Sequence, residues 1–376
     1  MRSSTAEHRF GSTSPYTLGV EEEYMLLDPN GFDLVDRVEM FLEAEDGGEF
    51  AGSVSCELFQ SELEVQTPVC AGVAQLDHEL RRLREHVARQ AAELGVCVAS
   101  AGTHPFALFE RQHVTQRLRY RTIIEQIQYA ARRELIFGLH VHVGLPTPTA
   151  AMRVLAGLRP YLPELVALSA SSPFWRGETT GLASTRQAVF STFPRSGIPP
   201  RFDDYAQFEA VTSAFERAEY VGDYTQLWWD LRPHPQFGTL EVRVLDAVPR
   251  VEDALALAAY VQSLAKFLLE EGDRSELHEA LIHESKWQAV RHGLDASVFA
   301  PGGFGPVRDA VAWTLERIRP HAEELGCLEY LAGVERIVAE GNSATRQLEV
   351  FAAERDVAAV AAAIVAESTV MQVAST

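Results

Sequence analysis

The chain predicts an α+β fold built on a mainly antiparallel sheet. Three segments alternate side chains in the manner of strands: Gly19-Val20-Glu21-Glu22-Glu23-Tyr24, Gly138-Leu139-His140-Val141-His142-Val143-Gly144 and Thr239-Leu240-Glu241-Val242-Arg243-Val244. Helical patterns fall between and after them without regular β-α-β alternation, which argues against a doubly wound sheet. Successive side chains of an extended chain point to opposite faces. Glu21 with Glu23, His140 with His142, and Glu241 with Arg243 therefore each project to one side, while Val141, Val143, Val242 and Val244 project to the other. One face of the sheet is expected against a core and the other around an acidic cavity.

The remaining elements follow in chain order. Met1 to Pro15 is polar and rich in Ser and Thr. It lacks the apolar stretch of a signal peptide and reads as a mobile tail (1–15) ahead of a single domain (16–376). Leu76, Leu80, Leu83, Val87 and Leu94 recur at helical spacing with Arg and Glu opposite and Gly95 as a stop, predicting a helix over Ala74–Leu94. Val96–Ser100 reads as a buried strand and Thr115–Arg133 as helical. Thr147 and Pro148 suit the cap and first turn of a helix running to about Ala170. Ser171–Pro200 is irregular and carries Trp175, Arg176, Arg186 and Arg195; an ordered loop at a functional site is expected. Asp203–Arg217 reads as helix, Leu227–Asp230 and Leu240–Asp246 as strands. From about residue 250 nearly everything reads as helix, with the Ala/Val-rich Ala353–Ala366 laid against the body.

Composition narrows the function. A formal net charge of -20 over 376 residues argues against a nucleic-acid partner, which would need basic patches. No uninterrupted run of 18 apolar residues suggests a membrane span. Cys56, Cys70, Cys97 and Cys327 have no CxxC spacing and read as free thiols of a reducing cytoplasm.

The chemistry concentrates in the alternating segments. Glu57, Glu62 and Glu64 follow Glu21 and Glu23 among apolar residues, and acid packed on acid is costly unless a cation neutralises it. His140 and His142 could be structural or a metal pair. Histidines two apart on a strand also occur in zinc amidohydrolases, yet an acid-dominated site with one or two imidazoles better suits Mg²⁺ or Mn²⁺. Glu241 and Arg243 could be a salt pair, or an acid and a cation serving phosphoryl transfer. Neither GxxxxGK[ST] nor GxGxxG is present, so any ATP phosphates would be held by metals and arginines.

Read together, the motifs TLGVEEEYMLLDP (from Thr17), ELFQSELEVQTPVC (from Glu57), SAGTHPFA (from Ser100), GLHVHVGL (from Gly138), WWDLRPHPQFGTLEVRVLDA (from Trp228) and GNSATRQLEV (from Gly341) resemble the glutamate–cysteine ligase type 2 carboxylate–amine ligases, relatives of the glutamine synthetase superfamily. The likeness runs from about Tyr16 to Val350. It implies a curved, mainly antiparallel sheet with the active site on its concave face and helices outside, as in the glutamine synthetase catalytic domain. It also implies ATP-dependent joining of the γ-carboxylate of glutamate to the amine of cysteine, with Mg²⁺ or Mn²⁺. By the same resemblance Glu21, Glu23, Glu64, His142 and Glu241 match metal ligands, with Glu57 and His140 as further candidates. Glu241 and Arg243 match catalytic positions. Arg119, Arg186 and Arg195 are candidate anchors for carboxylate or phosphate, equally readable as structural arginines. The implied partners are amino acids and ATP, and relatives are commonly homo-oligomers, often dimers; another amine acceptor and a metal-dependent amidohydrolase are the alternatives.

Overall fold

A computed structural model describes residues 3–272 and 277–369. The alternating segments are strands of one open seven-stranded sheet. Its members are β1 (Leu18–Leu27), β2 (Val54–Cys56), β3 (Glu62–Gln66), β4 (Cys97–Ala99), β5 (Gly138–Gly144), β8 (Leu231–His234) and β9 (Thr239–Asp246). Two short hairpins lie outside it: β6 (Phe174–Trp175) with β7 (Glu178–Thr179), and β10 (Ser297–Ala300) with β11 (Gly303–Pro306). The sheet order is β2-β3-β1-β5-β9-β8, β4 also pairs with β1, and every pairing is antiparallel. The expected α+β class with an antiparallel sheet is thus the observed one.

Fourteen helices are present among the described residues. Before β9 come α1 (Val38–Glu45), α2 (Val73–Glu93), α3 (Leu118–Ile127), α4 (Tyr129–Arg132), α5 (Pro148–Leu158), α6 (Leu162–Ser169), α7 (Thr185–Phe190) and α8 (Tyr205–Arg217). After it come α9 (Val251–Glu270), α10 (Glu279–His292), α11 (Val307–Glu324), α12 (Leu331–Glu340), α13 (Ser343–Glu354) and α14 (Val357–Thr369). Val20, Val141, Val143, Val242 and Val244 point to the helical side and join the largest core cluster with Leu155 and Leu158 of α5, Leu165 of α6 and Leu257, Val261 and Leu264 of α9. Removing this apolar area from water stabilises the sheet by about 25 cal/mol per Å².

One charged pair lies beneath the sheet. Glu22, on the core face of β1, accepts from Arg84 Nε of α2 at 2.9 Å and from the Tyr24 hydroxyl at 2.6 Å. Arg84 also donates to the carbonyl of Val248 at 3.1 Å, so a single guanidinium ties α2, β1 and the entrance to α9 together.

Four local readings differ from expectation. Residues 3–15, expected as a tail, make defined contacts with the body: Phe10 is buried against the core, Arg9 N donates to Pro235 O at 2.8 Å, Gly11 N to Leu145 O at 3.0 Å, and Ser4 N to Glu216 at 3.2 Å. Gly238, at φ +71, permits this approach, since a Cβ there would meet Arg9 O at 2.3 Å. Met1 and Arg2 of that stretch, and residues 273–276 and 370–376 of the expected domain, lie outside the described residues. The helix expected from Thr147 to Ala170 is interrupted at Arg159–Tyr161, where Pro160 and Pro163 each remove a backbone donor. The strand expected at Leu227–Asp230 begins at Leu231 instead; it contains Pro233, tolerated because β8 is an edge strand. The irregular stretch from Ser171 contains α7, and buried Asp246 orders it by accepting from Ser171 N (2.9 Å), Ser172 Oγ (2.7 Å) and Ser184 Oγ (2.8 Å). As expected, the Ala/Val-rich C-terminal segment lies on the body, where α14 buries Val360 and Ile364 beside β4.

Because side-chain exposure is 7% for Arg84 and 1% for Glu22, removing one partner strands the other. Arg84→Met is expected to lower unfolding free energy by about 3–5 kcal/mol, measured by denaturant titration. Glu22→Gln combined with Arg84→Met should recover part of that loss.

Candidate active site

On the face opposite the core, strand register gathers the polar residues. Glu23 stands opposite Glu64 across β1 and β3, Glu21 opposite His140 across β1 and β5, and Glu241 opposite His142 on one side and Arg232 on the other. Glu21, Glu23, Glu64, His140 and Arg232 line a cavity of about 600 Å³, and His142 and Glu241 stand beside them in register. A second cavity of about 340 Å³ shares Glu21, Gln66, Gln236 and Phe237 with it and reaches toward Thr13, Thr17 and Thr67.

Two groups of donors are spaced to grip a cation. Glu21, Glu64 and His140 form one and Glu21, His142 and Glu241 the other, the ligand atoms within each lying within 4.8 Å of one another. His142 Nδ1 is 2.9 Å from the Thr239 hydroxyl, which orients the ring so that Nε2 faces Glu21 at 3.3 Å and Glu241 at 3.9 Å. His140 Nδ1 lies 3.1 Å from Glu21. The Nε2 atoms of both histidines are buried without a hydrogen-bond partner. Unpartnered imidazole nitrogens among carboxylates fit a divalent cation.

The electrostatics agree. Burial pushes Glu64 well above the usual carboxylate range, reinforced by Glu21, Glu57 and Glu23. Burial and then Glu23 push Glu57 to about 7, against the pull of Arg119 and Arg243. Burial also drives Glu62 well upward. Glu21 is buried too, yet the imidazoles of His142 and His140 hold it well below the usual range. Glu241 is likewise held low, because Arg232 and Arg243 outweigh its burial. Two of the protein's own cations therefore sit on Glu241, while burial and neighbouring acids dominate at Glu57, Glu62 and Glu64.

The sequence-predicted residues fall into three groups. Glu21, Glu64, His140, His142 and Glu241 sit in the donor groups. Glu23, Glu57, Arg119, Arg186 and Arg243 line the larger cavity; Glu23 is engaged by Gly138 N at 2.5 Å, and Arg243 donates through Nη1 to Glu241 while its Nε has no partner. Arg195 stands apart: it lies 5.3 Å over the Trp228 ring and donates to Gln226 O at 3.3 Å, bracing the cavity wall from behind.

Arg232 and Glu134 were not foreseen. Arg232 grips Glu241 with Nε at 2.8 Å and Nη2 at 3.1 Å. Its two-residue spacing from His234 would have placed both on one strand face, but Pro233 and Pro235 spoke against a strand there. Glu134 follows α4 in an irregular stretch where no periodicity signals a direction.

Gly138 has its own requirement. A Cβ there would sit 2.5 Å from Arg186 Nη2 and 2.9 Å from His140 Nε2, so the bare backbone lets Arg186 cross β5. Gly138→Ala should cut turnover at least about tenfold while costing the fold no more than about 2 kcal/mol, measured as kcat/KM beside a denaturant melt. Unchanged turnover would remove Arg186 from the working geometry.

A Rubrobacter xylanophilus protein provisionally named glutamate–cysteine ligase 2-1 is 44% identical over 351 residues, covering 92% of each chain. The glutamate–cysteine ligase of Francisella tularensis, solved in complex with AMP, superposes with TM-score 0.67 at 14% identity over 96% of this chain and 90% of that one. A bifunctional glutathione synthetase from Pasteurella multocida superposes with TM-score 0.72 at 13% identity, over 94% of this chain and 52% of that one. These two likenesses speak to the fold. The family described as glutamate-cysteine ligase family 2 matches residues 17–363, and the chain belongs to that family.

Proposed function

We propose that the protein is an ATP-dependent carboxylate–amine ligase joining the γ-carboxylate of glutamate to the amine of cysteine, with release of ADP and phosphate. The observation that carries the reading is Glu21, one carboxylate shared by two cation-ready donor groups on a floor flanked by arginines. Family membership and the ligase names of its relatives support it.

In this reading the carboxylate oxygen of the donor attacks the γ-phosphorus of ATP, ADP leaves, and an acyl phosphate forms. The amine then attacks the acyl carbon, loses a proton, and phosphate departs. Mg²⁺ or Mn²⁺ held by Glu21, Glu64 and His140, and by Glu21, His142 and Glu241, would shield phosphate from carboxylate and stabilise the developing charge. The free Nε of Arg243 presents positive charge to the transferring group. Arg232 keeps Glu241 and Arg243 in register from below. In this reading Arg186 anchors a substrate carboxylate, and Arg119, which also lines the cavity, serves as a second anchor. Glu57 and Glu23 complete the acidic wall.

Among the described residues no helix is long and apolar enough to cross a membrane. A homo-oligomer, a dimer in the simplest case, and a cytoplasmic setting supplying ATP and reduced cysteine complete the proposal.

Phosphate release from ATP with Mg²⁺ and glutamate, screened over a panel of amines including cysteine, tests it. Release should require glutamate and cysteine together, and Glu21→Gln should lower kcat by at least about 100-fold with the fold intact by thermal melt. Release with another amine would keep the chemistry and change the acceptor. Amide hydrolysis without ATP would overturn the ligase reading in favour of a hydrolase.

A further inference from the structure

Glu134 is the acid of the larger cavity with neither oxygen engaged. Both carboxylate oxygens are buried without a hydrogen-bond partner. The other cavity acids are committed: Glu23 accepts from Gly138 N, Glu57 from Leu58 N, Glu62 from Phe59 N, and Glu64 from Ser55 and Gln66. An unpaired buried polar group costs free energy, so this one calls for a ligand.

Arg186 lines the same cavity. Its Nη1 and Nη2 donate to the carbonyls of Val244 at 3.5 Å and Arg243 at 3.3 Å, while its Nε is buried without a partner. The two side chains sense each other's charge, yet no ion pair among the described residues joins them. Ile136, Phe137 and Phe190 line the same cavity, and apolar surroundings strengthen a charge interaction made there.

We propose that Glu134 receives the α-ammonium group of the donor amino acid while Arg186 takes the same substrate's α-carboxylate. The inference rests on the ligase reading above and names how its donor is chosen. The chemistry decides which substrate is held. The acceptor's amine must lose its proton to attack, and an amine held as ammonium against a carboxylate is no nucleophile. The donor's α-ammonium and α-carboxylate take no part in the reaction, so they are free to be gripped throughout. Burial pushes Glu134 to about 8 against the opposing pull of Arg186. An arriving ammonium would draw it into the charged form, so the subsite favours a cationic over a neutral group.

Calorimetric binding of L-glutamate and of glutarate, which lacks only the amine, tests this in the presence of Mg²⁺ and a non-hydrolysable ATP analogue. The wild-type protein should bind glutamate at least about 30-fold more tightly than glutarate. Glu134→Gln should reduce that ratio to about threefold or less through weaker glutamate binding alone, and Glu134→Asp should restore part of it. Equal binding of the two acids by the wild-type protein, no binding of either, or an equal loss of both in Glu134→Gln would overturn the assignment. Phosphate release from ATP by the same protein, assayed separately with glutamate and the panel of amines, distinguishes the two proposals. Discrimination against glutarate with no phosphate release for any amine would leave the ammonium subsite standing and sink the ligase reading.

Discussion

The organising constraint is the repulsion among carboxylates collected on one face of an antiparallel sheet. Glu21, Glu23 and Glu64 meet through strand register, and Glu57 and Glu62 come in beside them. Such a face is unfavourable alone. The chain answers part of the charge internally by placing Arg232 and Arg243 on Glu241 and two imidazoles on Glu21. The upward displacement of Glu57, Glu62 and Glu64 and the unpartnered histidine nitrogens fit the proposed bound cations.

The fold supplies the rigidity such a face needs. Apolar residues alternate with the polar ones, so every strand that contributes to the two donor groups also contributes to the core. Glu22 lies between Glu21 and Glu23 but faces the opposite side, where Arg84 and Tyr24 satisfy it. Asp246 at the end of β9 performs a related service, ordering the segment that leads into Arg186. That segment is thereby held by buried hydrogen bonds, not by exposed surface contacts. This is the kind of support by which catalytic geometry is kept within reach of a reacting group.

Much of this was legible in the chain because a period of two is a local property. HVHV and LEVRV declare both a polar and an apolar face within a few residues, and the two donor groups fall on positions found that way. Arg232 was hidden by its flanking prolines, since the edge position that tolerates Pro233 is a fact of sheet order. Glu134 gave no signal because its role depends on an absence of partners, which no local pattern encodes. The contacts of the N-terminal segment were hidden for a similar reason: its polar composition is that of a tail, while its partners Glu216, Pro235 and Leu145 lie far along the chain. Arg195 resembled a substrate anchor by residue type, and its neighbours make it a brace for Trp228.

The central claim is that one carboxylate serves two cation sites. Counting bound Mn²⁺ by electron paramagnetic resonance in the wild-type protein, Glu21→Gln and Glu64→Gln tests it most directly. The account predicts two ions in the wild-type protein, both weakened in Glu21→Gln and only one weakened in Glu64→Gln. Wild-type binding of both ions by Glu21→Gln would contradict it.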